Sequence, residues 1–401
     1  MIQRRELLKA IGYTAAGGSS ISNLAFASQT TAPLVVVFLR GGADSLQMAA
    51  TVDDPFYVAA RNADLRILNT GPTPGIRIDK SFANGRDCRI HWACAPLNNL
   101  FQSGHAQVLH ASGLENATRS HFEAQELIEA NVSGNKSSVT HSTPGWLTPY
   151  LKPHTSSDFI QTIGTSGGQI RSLQGLKSSL SLTGELRYGT AIPYDAIGRA
   201  AIEAMYDNAV SNDAAMQMGR EALNQLAVIE KKVLRVDNRI ASYTPPAGIA
   251  YNSEDGGWRN AVQTVAQLIK MDVGLQAACI DFGGWDTHEY QPGRINNLIR
   301  QWASNIRALF DDLQASNKHV TILVMSEFGR RLRSNGSNGT DHGHAGAMWL
   351  FDTHNRGLLP ATQWPGLGSD DLDQGLDLKS TTDIKKTLAM LAKQTIALPI
   401  T

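Results

Sequence analysis

An acidic and histidine-containing segment directly follows an apolar run in this chain. Asp286 and His288 come after the run 275–280 and the pair Gly283-Gly284. The run predicts a buried strand, and the glycines predict a tight turn at its carboxyl end, the edge where open α/β sheets bind ligands. In extended chain a carboxylate and an imidazole offset by two residues share a face. The segment therefore predicts a site for a divalent metal ion such as zinc, manganese or iron.

A second acidic and histidine-containing segment follows the apolar run 319–325. Glu327 comes directly after this predicted strand and is a second candidate metal ligand, and Asp341, His342 and His344 lie in the loop beyond it. That loop is rich in Gly, Asn, Ser and Thr, which gives little reason to bury a histidine for packing. We predict that at least one of the two histidines binds metal, and that Asp341 either binds the ion or holds a histidine by its other nitrogen.

The first apolar run, 34–39, also ends in glycines and an acid, Asp44. We expect Asp44 to face the same crevice as Asp286 and to be a metal ligand, with a helix-capping role as the alternative. Arg330 and Arg331 follow the second acidic segment. Guanidinium groups suit a bidentate grip on phosphate or sulfate, and the alternative is two solvated charges.

Ser120 precedes a helical pattern and has Glu123 three residues later, which is typical of a capping box. The same position suits a nucleophile. A hydroxyl at a helix N-terminus, beside Arg119 and a divalent ion, has its alkoxide stabilised by dipole, cation and metal together. His121 is a candidate proton donor or anion-binding group. The capping and catalytic interpretations of this segment both stay open.

The remaining pattern predicts an α/β fold. Strands are expected over 34–39, 107–111, 275–280, 319–325 and 348–351, and helices over 96–102, 121–131, 258–273, 295–313 and 384–392. Strands separated by helices imply a mostly parallel sheet flanked by helices on both faces. Phe122 is predicted on the buried side of its helix. Residues 193–240 predict a helical insertion that caps one sheet edge, with a coiled-coil arm as the alternative.

Composition indicates a globular protein with a large core and excludes few functions. The chain has 401 residues, a formal net charge of zero and 42% hydrophobic residues, which is ample for a large core. The neutral balance gives no support for a nucleic acid or anionic membrane partner. Cys88 and Cys94 could form a disulfide in an oxidising compartment. Cys279 lies in a predicted apolar strand, where we expect it to pack as a small hydrophobic residue.

The N-terminus predicts export. Arg4-Arg5 precedes a weakly apolar stretch, and Ala25-Phe26-Ala27 places small residues where a signal peptidase cleaves. Residues 1–27 are therefore predicted to be a twin-arginine signal peptide, with a cytosolic amphipathic helix as the alternative. No segment offers about 20 consecutive apolar residues, so we expect no stable membrane anchor. A periplasmic or secreted protein with one domain over 28–401 is expected.

The motifs and their order resemble the DUF1501 family of twin-arginine-exported bacterial proteins, whose function is unknown. The matching stretches are 38–44, 119–125, 281–288, 326–331, 339–344 and 381–383. That family resembles, more distantly and by motif order, the alkaline phosphatase and sulfatase superfamily. The resemblance implies an alkaline-phosphatase-like domain with one or two divalent metal ions.

Site roles follow from this resemblance residue by residue. It implies Ser120 as the nucleophile, with Thr118 as an alternative, and a set of metal ligands comprising Asp44, Asp286, His288, Glu327 and His342 or His344. The superfamily usually has Asp followed by His or Asn where this chain has Glu327-Phe328. One metal ion in place of two is therefore compatible with the sequence.

Two functions are consistent with these residues. The first is an exported metal-dependent hydrolase of phosphate or sulfate esters, acting on a small-molecule or polymer ester with Ser or water as nucleophile. The sulfatase nucleophile motif Cys-x-Pro-x-Arg is absent, because Cys94-Ala95-Pro96 is not followed by arginine. A formylglycine sulfatase is thereby disfavoured. The alternative is a non-catalytic periplasmic binding protein that kept the fold and lost the reaction.

Overall fold

The structure is a computed structural model. It describes residues 32–397 apart from 79–84, 131, 133–135, 141, 152–158, 177–178, 190–195, 208–212, 237–238, 355–358 and 361. The signal peptide predicted over residues 1–27 lies outside the described residues. Among the helices that are described, none has both the length and the hydropathy needed to cross a membrane.

The strands and helices alternate along much of the chain. The strands are β1 Leu34–Leu39, β2 Ala49–Thr51, β3 Ile76–Arg77, β4 Cys88–Ile90, β5 Ala106–Gly113, β6 Thr162–Gly164, β7 Ser179–Ser181, β8 Arg235–Val236, β9 Arg239–Ile240, β10 Ala277–Phe282, β11 Thr321–Met325, β12 Gly346–Asp352, β13 Leu372–Asp373, β14 Asp377–Leu378 and β15 Thr382–Asp383. The α-helices are α1 Ser45–Met48, α2 Pro55–Ala60, α3 Asn98–Gln102, α4 His121–Glu129, α5 Leu186–Gly189, α6 Ala196–Asp207, α7 Ala214–Lys232, α8 Gly256–Lys270, α9 Gln291–Ala315 and α10 Ile384–Ala392.

One large mixed sheet organises the molecule. Its strand order is β15-β5-β12-β11-β1-β10-β6-β7. Strand β12 is antiparallel to β11 and β5, and the other neighbouring pairs are parallel. Leu34 of β1 is in register with Ala277 of β10 and Thr321 of β11. The predicted mostly parallel α/β sheet is therefore confirmed, and the carboxyl ends of β1, β10 and β11 lie side by side.

The core lies on both faces of this sheet. All six residues of β1 are buried, and they alternate between two apolar clusters. Val35 and Val37 pack on the side of α8 and α9, whereas Val36 and Phe38 pack on the side of α4 and α10. Burying such apolar side chains stabilises the fold by roughly 1.5–3 kcal/mol each. Because both faces are covered, the strand sequence is an unbroken apolar run.

Several local predictions differ from the structure. The predicted strands do not include β2, β3 and β4, which form a small sheet in the order β2-β4-β3, nor β6 and β7 at one edge of the large sheet. Strands of two or three residues are too short to show a period. Phe122, predicted to be buried, is 80% exposed. The buried face of α4 is formed by Ala124, Leu127 and Ile128, and a residue two positions before Ala124 lies on the opposite side.

Residues 193–240 contain α6, α7 and the β8-β9 hairpin. Arg199 of α6 pairs with Glu230 of α7 at 2.6 Å, so the two helices pack against each other. No disulfide joins Cys88 and Cys94, both of which are buried, so the bridge left open by the sequence does not form.

A buried histidine makes the fold sensitive to acid. Nδ1 of His91 accepts a hydrogen bond from the backbone N–H of Ala93 at 3.2 Å and caps a 3₁₀ turn, Trp92–Leu97. Burial lowers the pKa of His91 from 6.5 to about 4. Protonation is thus easier in the unfolded chain. The stability that this group contributes is complete above pH ~6.5 and is lost progressively as the pH falls towards ~4.

We expect the wild-type protein to lose about 2 kcal/mol of unfolding free energy from this group between pH 7 and pH 5. The variant His91→Asn keeps a capping side chain but does not titrate. Its urea midpoint should fall less between the two pH values than that of the wild type. The exposed His354 provides the control, since His354→Asn should keep the wild-type dependence. Identical slopes for wild type and His91→Asn would contradict the prediction.

Candidate functional site

The loops after β1, β10 and β11 touch one another through their backbones. A Cβ on Gly41, whose φ is +120°, would lie 2.4 Å from the backbone nitrogen of Asp286. A Cβ on Gly339 would lie 2.1 Å from the carbonyl oxygen of His288. Only glycine permits such close approach. These two contacts place Asp286 and His288 at the carboxyl edge of the sheet.

Arg330 ties the same loops together. Its side chain is fully buried, and its guanidinium donates to Asp286 Oδ1 at 2.6 Å. The other hydrogen bonds of this guanidinium go to the carbonyl oxygens of Gly41, Gly42, Trp285 and Thr340. The predicted grip of Arg330 on an anionic ligand is therefore not what the structure shows. Its donors hold the loop backbones and one carboxylate in place.

Three imidazoles converge on the Asp286 carboxylate. Asp286 Oδ1 lies 3.2 Å from Nε2 of His288, 3.3 Å from Nε2 of His342 and 3.6 Å from Nε2 of His121. The nitrogens of His288 and His342 are 2.8 Å apart. Nitrogen and oxygen ligands about 2.0–2.1 Å from a tetrahedral zinc ion lie roughly 3.3 Å from one another. The separations around Asp286 Oδ1 therefore suit atoms that share one ion. We call His121, Asp286, His288 and His342 the ligand group.

Each of these imidazoles is held by its other nitrogen. His121 Nδ1 contacts Glu327 Oε1 at 2.7 Å, and His288 Nδ1 contacts Asp341 Oδ1 at 3.3 Å. His342 Nδ1 contacts the backbone carbonyl of Arg119 at 2.8 Å. An acceptor at Nδ1 holds the proton there and directs the lone pair of Nε2 towards the centre, as in metal sites of proteins.

The environment of His121 also suits a metal ion bound by the ligand group. Its Nε2 atom is buried and has no hydrogen-bond partner among the residues that the structure describes. A buried polar atom without a partner is costly. A metal ion at the centre of the ligand group would satisfy it. The smaller set His121, Asp286 and His342 has its ligand atoms within 4.8 Å of one another.

The carboxylates of the site are held in the charged form. Burial acts to raise the pKa of Asp286, but the hydrogen bond and charge of Arg330, assisted by His342 and His288, lower it to about 2. Burial likewise opposes ionisation of Glu327, but hydrogen bonds from groups that include His121 keep its pKa below the usual value. Both side chains are therefore anionic at neutral pH.

Asp44 and His344, two predicted metal ligands, are not brought to the ligand group. Asp44 is fully buried in an ion pair with Arg61, at 2.6 Å, and also accepts from Gln291 at 2.7 Å. His344 contacts Asp373 through Nδ1 at 3.0 Å and the carbonyl oxygen of Leu114 through Nε2 at 2.7 Å. Both nitrogens of His344 and the carboxylate of Asp44 are thus engaged within the protein.

Glu327 and Asp341, also predicted as ligands, hold His121 and His288. Glu327 is further fixed by the backbone N–H of Gly41 at 2.9 Å and by Gln125 at 2.7 Å. The alternative raised for Asp341, that it holds a histidine, agrees with this geometry. Direct metal binding by either carboxylate stays a prediction.

The helix-start segment shows the predicted capping, and its catalytic role stays a prediction. Ser120 caps α4, since its Oγ accepts from the backbone N–H of Glu123 at 3.4 Å, and Ser120 is exposed. Thr118 donates to the Glu123 carboxylate at 2.7 Å. Arg119 donates to Asp377 Oδ2 through Nε, at 3.1 Å, and through Nη2. His121, predicted as a proton donor or anion-binding group, instead joins the ligand group.

Two contributing residues escaped the sequence analysis. Asn335 donates to Asp341 Oδ1 at 3.0 Å and to the carbonyl oxygen of His288 at 2.9 Å. Asp377 pairs with Arg119 from a two-residue strand. The only sequence signal for Asn335 is its position in the polar loop, and Asp377 has none, because its strand is too short to show a pattern.

The family follows from comparison with known proteins. The profile of DUF1501, a family described as proteins of unknown function, matches residues 32–388. The chain belongs to this family. The match runs from β1 into α10 and confirms the resemblance drawn from the DUF1501 motifs. A search of curated proteins finds no significant match for this family member.

Solved structures similar to this DUF1501 protein have little sequence in common with it. The C-terminal periplasmic domain of EptC from Escherichia coli, in complex with zinc, has 6% identity and a TM-score of 0.38, covering 91% of this chain and 82% of that one. The lipoteichoic acid synthase LtaP from Listeria monocytogenes has 8% identity and a TM-score of 0.38, covering 94% and 81%. TM-scores this low do not establish a shared activity or metal.

Proposed function

We propose that this DUF1501 protein is an exported metal-dependent hydrolase of phosphate or sulfate esters, acting in the periplasm or outside the cell. The observation that carries the proposal is the convergence of three imidazole nitrogens on Asp286 Oδ1. Neutral imidazoles and a carboxylate suit zinc, manganese or iron. The partner would be a small-molecule or polymer ester, reached after export by the twin-arginine machinery.

The ligand group would hold the ion, and the surrounding residues keep it in shape. A bound divalent ion would supply Lewis acidity towards the oxygens of the ester. Glu327, Asp341 and the carbonyl of Arg119 orient the three imidazoles. Arg330 donates to Oδ1 of Asp286, the same oxygen that faces the histidines, and keeps the carboxylate ionised.

Ser120 is the nucleophile that this proposal favours, with water as the alternative. Its hydroxyl is exposed at the N-terminus of the nine-residue helix α4, directly before His121. The unpaired N–H groups of a helix N-terminus stabilise a developing negative charge. The helix that positions Ser120 therefore also positions one of the metal ligands.

Ser120→Ala is expected to reduce turnover of a responsive ester about a thousand-fold or more, since a nucleophile has no substitute in the same position. Metal content should be unchanged. Ser120→Asn separates this effect from capping, because Asn keeps the cap and lacks the hydroxyl. Steady-state kinetics of both variants beside Thr118→Val provides the measurement. Full activity in Ser120→Ala would exclude Ser120 and leave water as the nucleophile.

The hydrolase as a whole is tested by metal content and ester turnover together. Elemental analysis of protein purified from the periplasm should give about one equivalent of a divalent transition metal. At least one ester in a panel of chromogenic phosphate and sulfate esters should be turned over, and removing the metal ion with a chelator should abolish that turnover. Absence of both metal and turnover would overturn the proposal.

The alternative is an exported binding protein without a reaction, favoured by one observation. Ser120 Oγ accepts from the backbone N–H of Glu123, and Thr118 Oγ1 donates to the Glu123 carboxylate, so both hydroxyls are engaged as in a purely structural helix cap. Saturable binding of an ester that is never turned over by the metal-loaded protein would support this function over the hydrolase.

A further inference from the structure

We propose that Arg331 binds the anionic group of the substrate, and that this group carries one negative charge, as in a sulfate monoester or a phosphate diester. A phosphate monoester, with two charges, would be disfavoured. This inference deepens the proposed function and rests on its ion in the ligand group. The family description assigns no role of this kind, and the sequence suggested a grip on phosphate or sulfate for Arg330 and Arg331 alike, without separating them.

The arginines beside the ligand group differ in how many of their guanidinium N–H donors make hydrogen bonds within the protein. Arg330 donates only to loop carbonyls and Asp286, and Arg119 donates to Asp377. Arg331 makes no side-chain hydrogen bond within the described part of the chain. Its Nη1 is 3.9 Å from Asp341 Oδ2 and its Nε is 3.9 Å from Asp377 Oδ1, both beyond hydrogen-bond range. The Nε atom is buried without a partner.

Arg331 is also connected to the ligand group and open to a ligand. Its backbone N–H donates to the carbonyl oxygen of Asp341, at 3.0 Å, and the Asp341 side chain holds His288. Its neighbour Asp377 is paired with Arg119, whose carbonyl holds His342. The Arg331 side chain is 35% exposed. A planar guanidinium with free donors is well suited to a sulfate or phosphate group.

The balance of charge limits what this group can be. Asp286 is paired with Arg330, and Asp377 with Arg119. Glu327 and Asp341 add two negative charges, which a single divalent ion offsets. Among the described residues, Arg331 then adds one positive charge in the partly buried part of the site, and this charge matches one negative charge on a ligand. Arg294, which donates to the carbonyl oxygen of Asp286 at 3.5 Å, is exposed, so solvent screens its charge. A second negative charge on the ester would face these carboxylates without a partly buried cation to pair with, which lowers the affinity of the site for a doubly charged group.

Binding of two non-hydrolysable analogues tests the inference directly. Phenylsulfonate carries one charge, and phenylphosphonate carries two when the pH lies above its second ionisation. Calorimetric titration of the metal-loaded protein should show tighter binding of phenylsulfonate. Arg331→Met should weaken that binding about ten-fold or more without changing the metal content, because an ionic hydrogen bond is lost. Arg331→Lys should retain part of the affinity.

Arg333 supplies the matched control. It is exposed and lies two residues along the chain, so Arg333→Met removes the same charge at a different place. Wild-type affinity is expected in this variant. If Arg333→Met and Arg331→Met lost equal affinity for phenylsulfonate, the change in net charge would explain both losses. That result would overturn the assignment of Arg331.

The remaining outcomes separate this inference from the proposed function. Tighter binding of phenylphosphonate, or unchanged binding in Arg331→Met, would overturn the inference and leave a hydrolase intact if any ester is turned over. Arg331-dependent binding of phenylsulfonate by a protein that turns over no ester would support the inference and remove the hydrolase. Turnover of p-nitrophenyl sulfate compared with methyl p-nitrophenyl phosphate distinguishes the sulfate ester from the phosphate diester.

Discussion

His342→Ala is expected to lower the affinity for the divalent ion about a hundred-fold or more, whereas His344→Ala is expected to leave it nearly unchanged. The two histidines are two residues apart, and the sequence did not separate them. His342 Nε2 faces Asp286 Oδ1 at 3.3 Å. His344 has both nitrogens engaged by Asp373 and Leu114. Loss of a residue that only supports a ligand costs about 10–100-fold, and loss of a ligand itself costs more.

Competition with a chromophoric chelator provides the measurement of affinity for both variants and the wild type. Turnover should follow the metal, so that His342→Ala is inactive at metal concentrations that saturate His344→Ala. His121→Ala should behave as His342→Ala does, because His121 Nε2 lies in the same group. Metal loss in His344→Ala with retention in His342→Ala would contradict the ligand group.

Asp44→Ala is expected to lower the free energy of unfolding by about 3–5 kcal/mol, because it leaves a buried arginine without its counter-charge. The side chains of Asp44 and Arg61 are both 0% exposed and lie 2.6 Å apart. Arg61 donates to both carboxylate oxygens of Asp44. The carboxylate is therefore part of the structural support under the loop that carries Gly41, and not of the ligand group.

Urea denaturation of the metal-free protein measures this effect without the contribution of metal binding. The double variant Asp44→Asn/Arg61→Met should recover part of the loss, since neither charge then stays buried alone. Asp370→Ala, at an exposed position, should change the stability by less than about 0.5 kcal/mol. If Asp44→Ala instead kept its stability and lost its metal, Asp44 would be the ligand that the family resemblance implied.

Much of the fold could be predicted because its signals are local. The buried strand β1 and the helix α10 have the predicted bounds, since an unbroken apolar run and a capped helical period each lie within a few neighbouring residues. Strand direction then places the residues that follow β10 and β11 at one edge of the sheet. Asp286, His288 and Glu327 were assigned to that edge on this basis, and the structure places them there.

The role of each candidate within the site could not be predicted in this way. His121 begins the helix after β5, and Asp286 lies in the loop after β10. The two strands are not neighbours in the sheet, and no pattern in either segment specifies the other. Arg61 lies in a region without a clear period, so nothing in the sequence indicated that it would pair with Asp44.

The sequence by itself determined the α/β class, the family and the strand ends that carry acids and histidines, because apolar periodicity and motif order are properties of neighbouring residues. Only the tertiary structure decided which of these side chains meet. The order of strands in the sheet brings His121 to Asp286, whereas local packing buries Asp44 against Arg61 and His344 against Asp373. Contacts between distant segments depend on this arrangement of elements, to which no single stretch of sequence gives a signal.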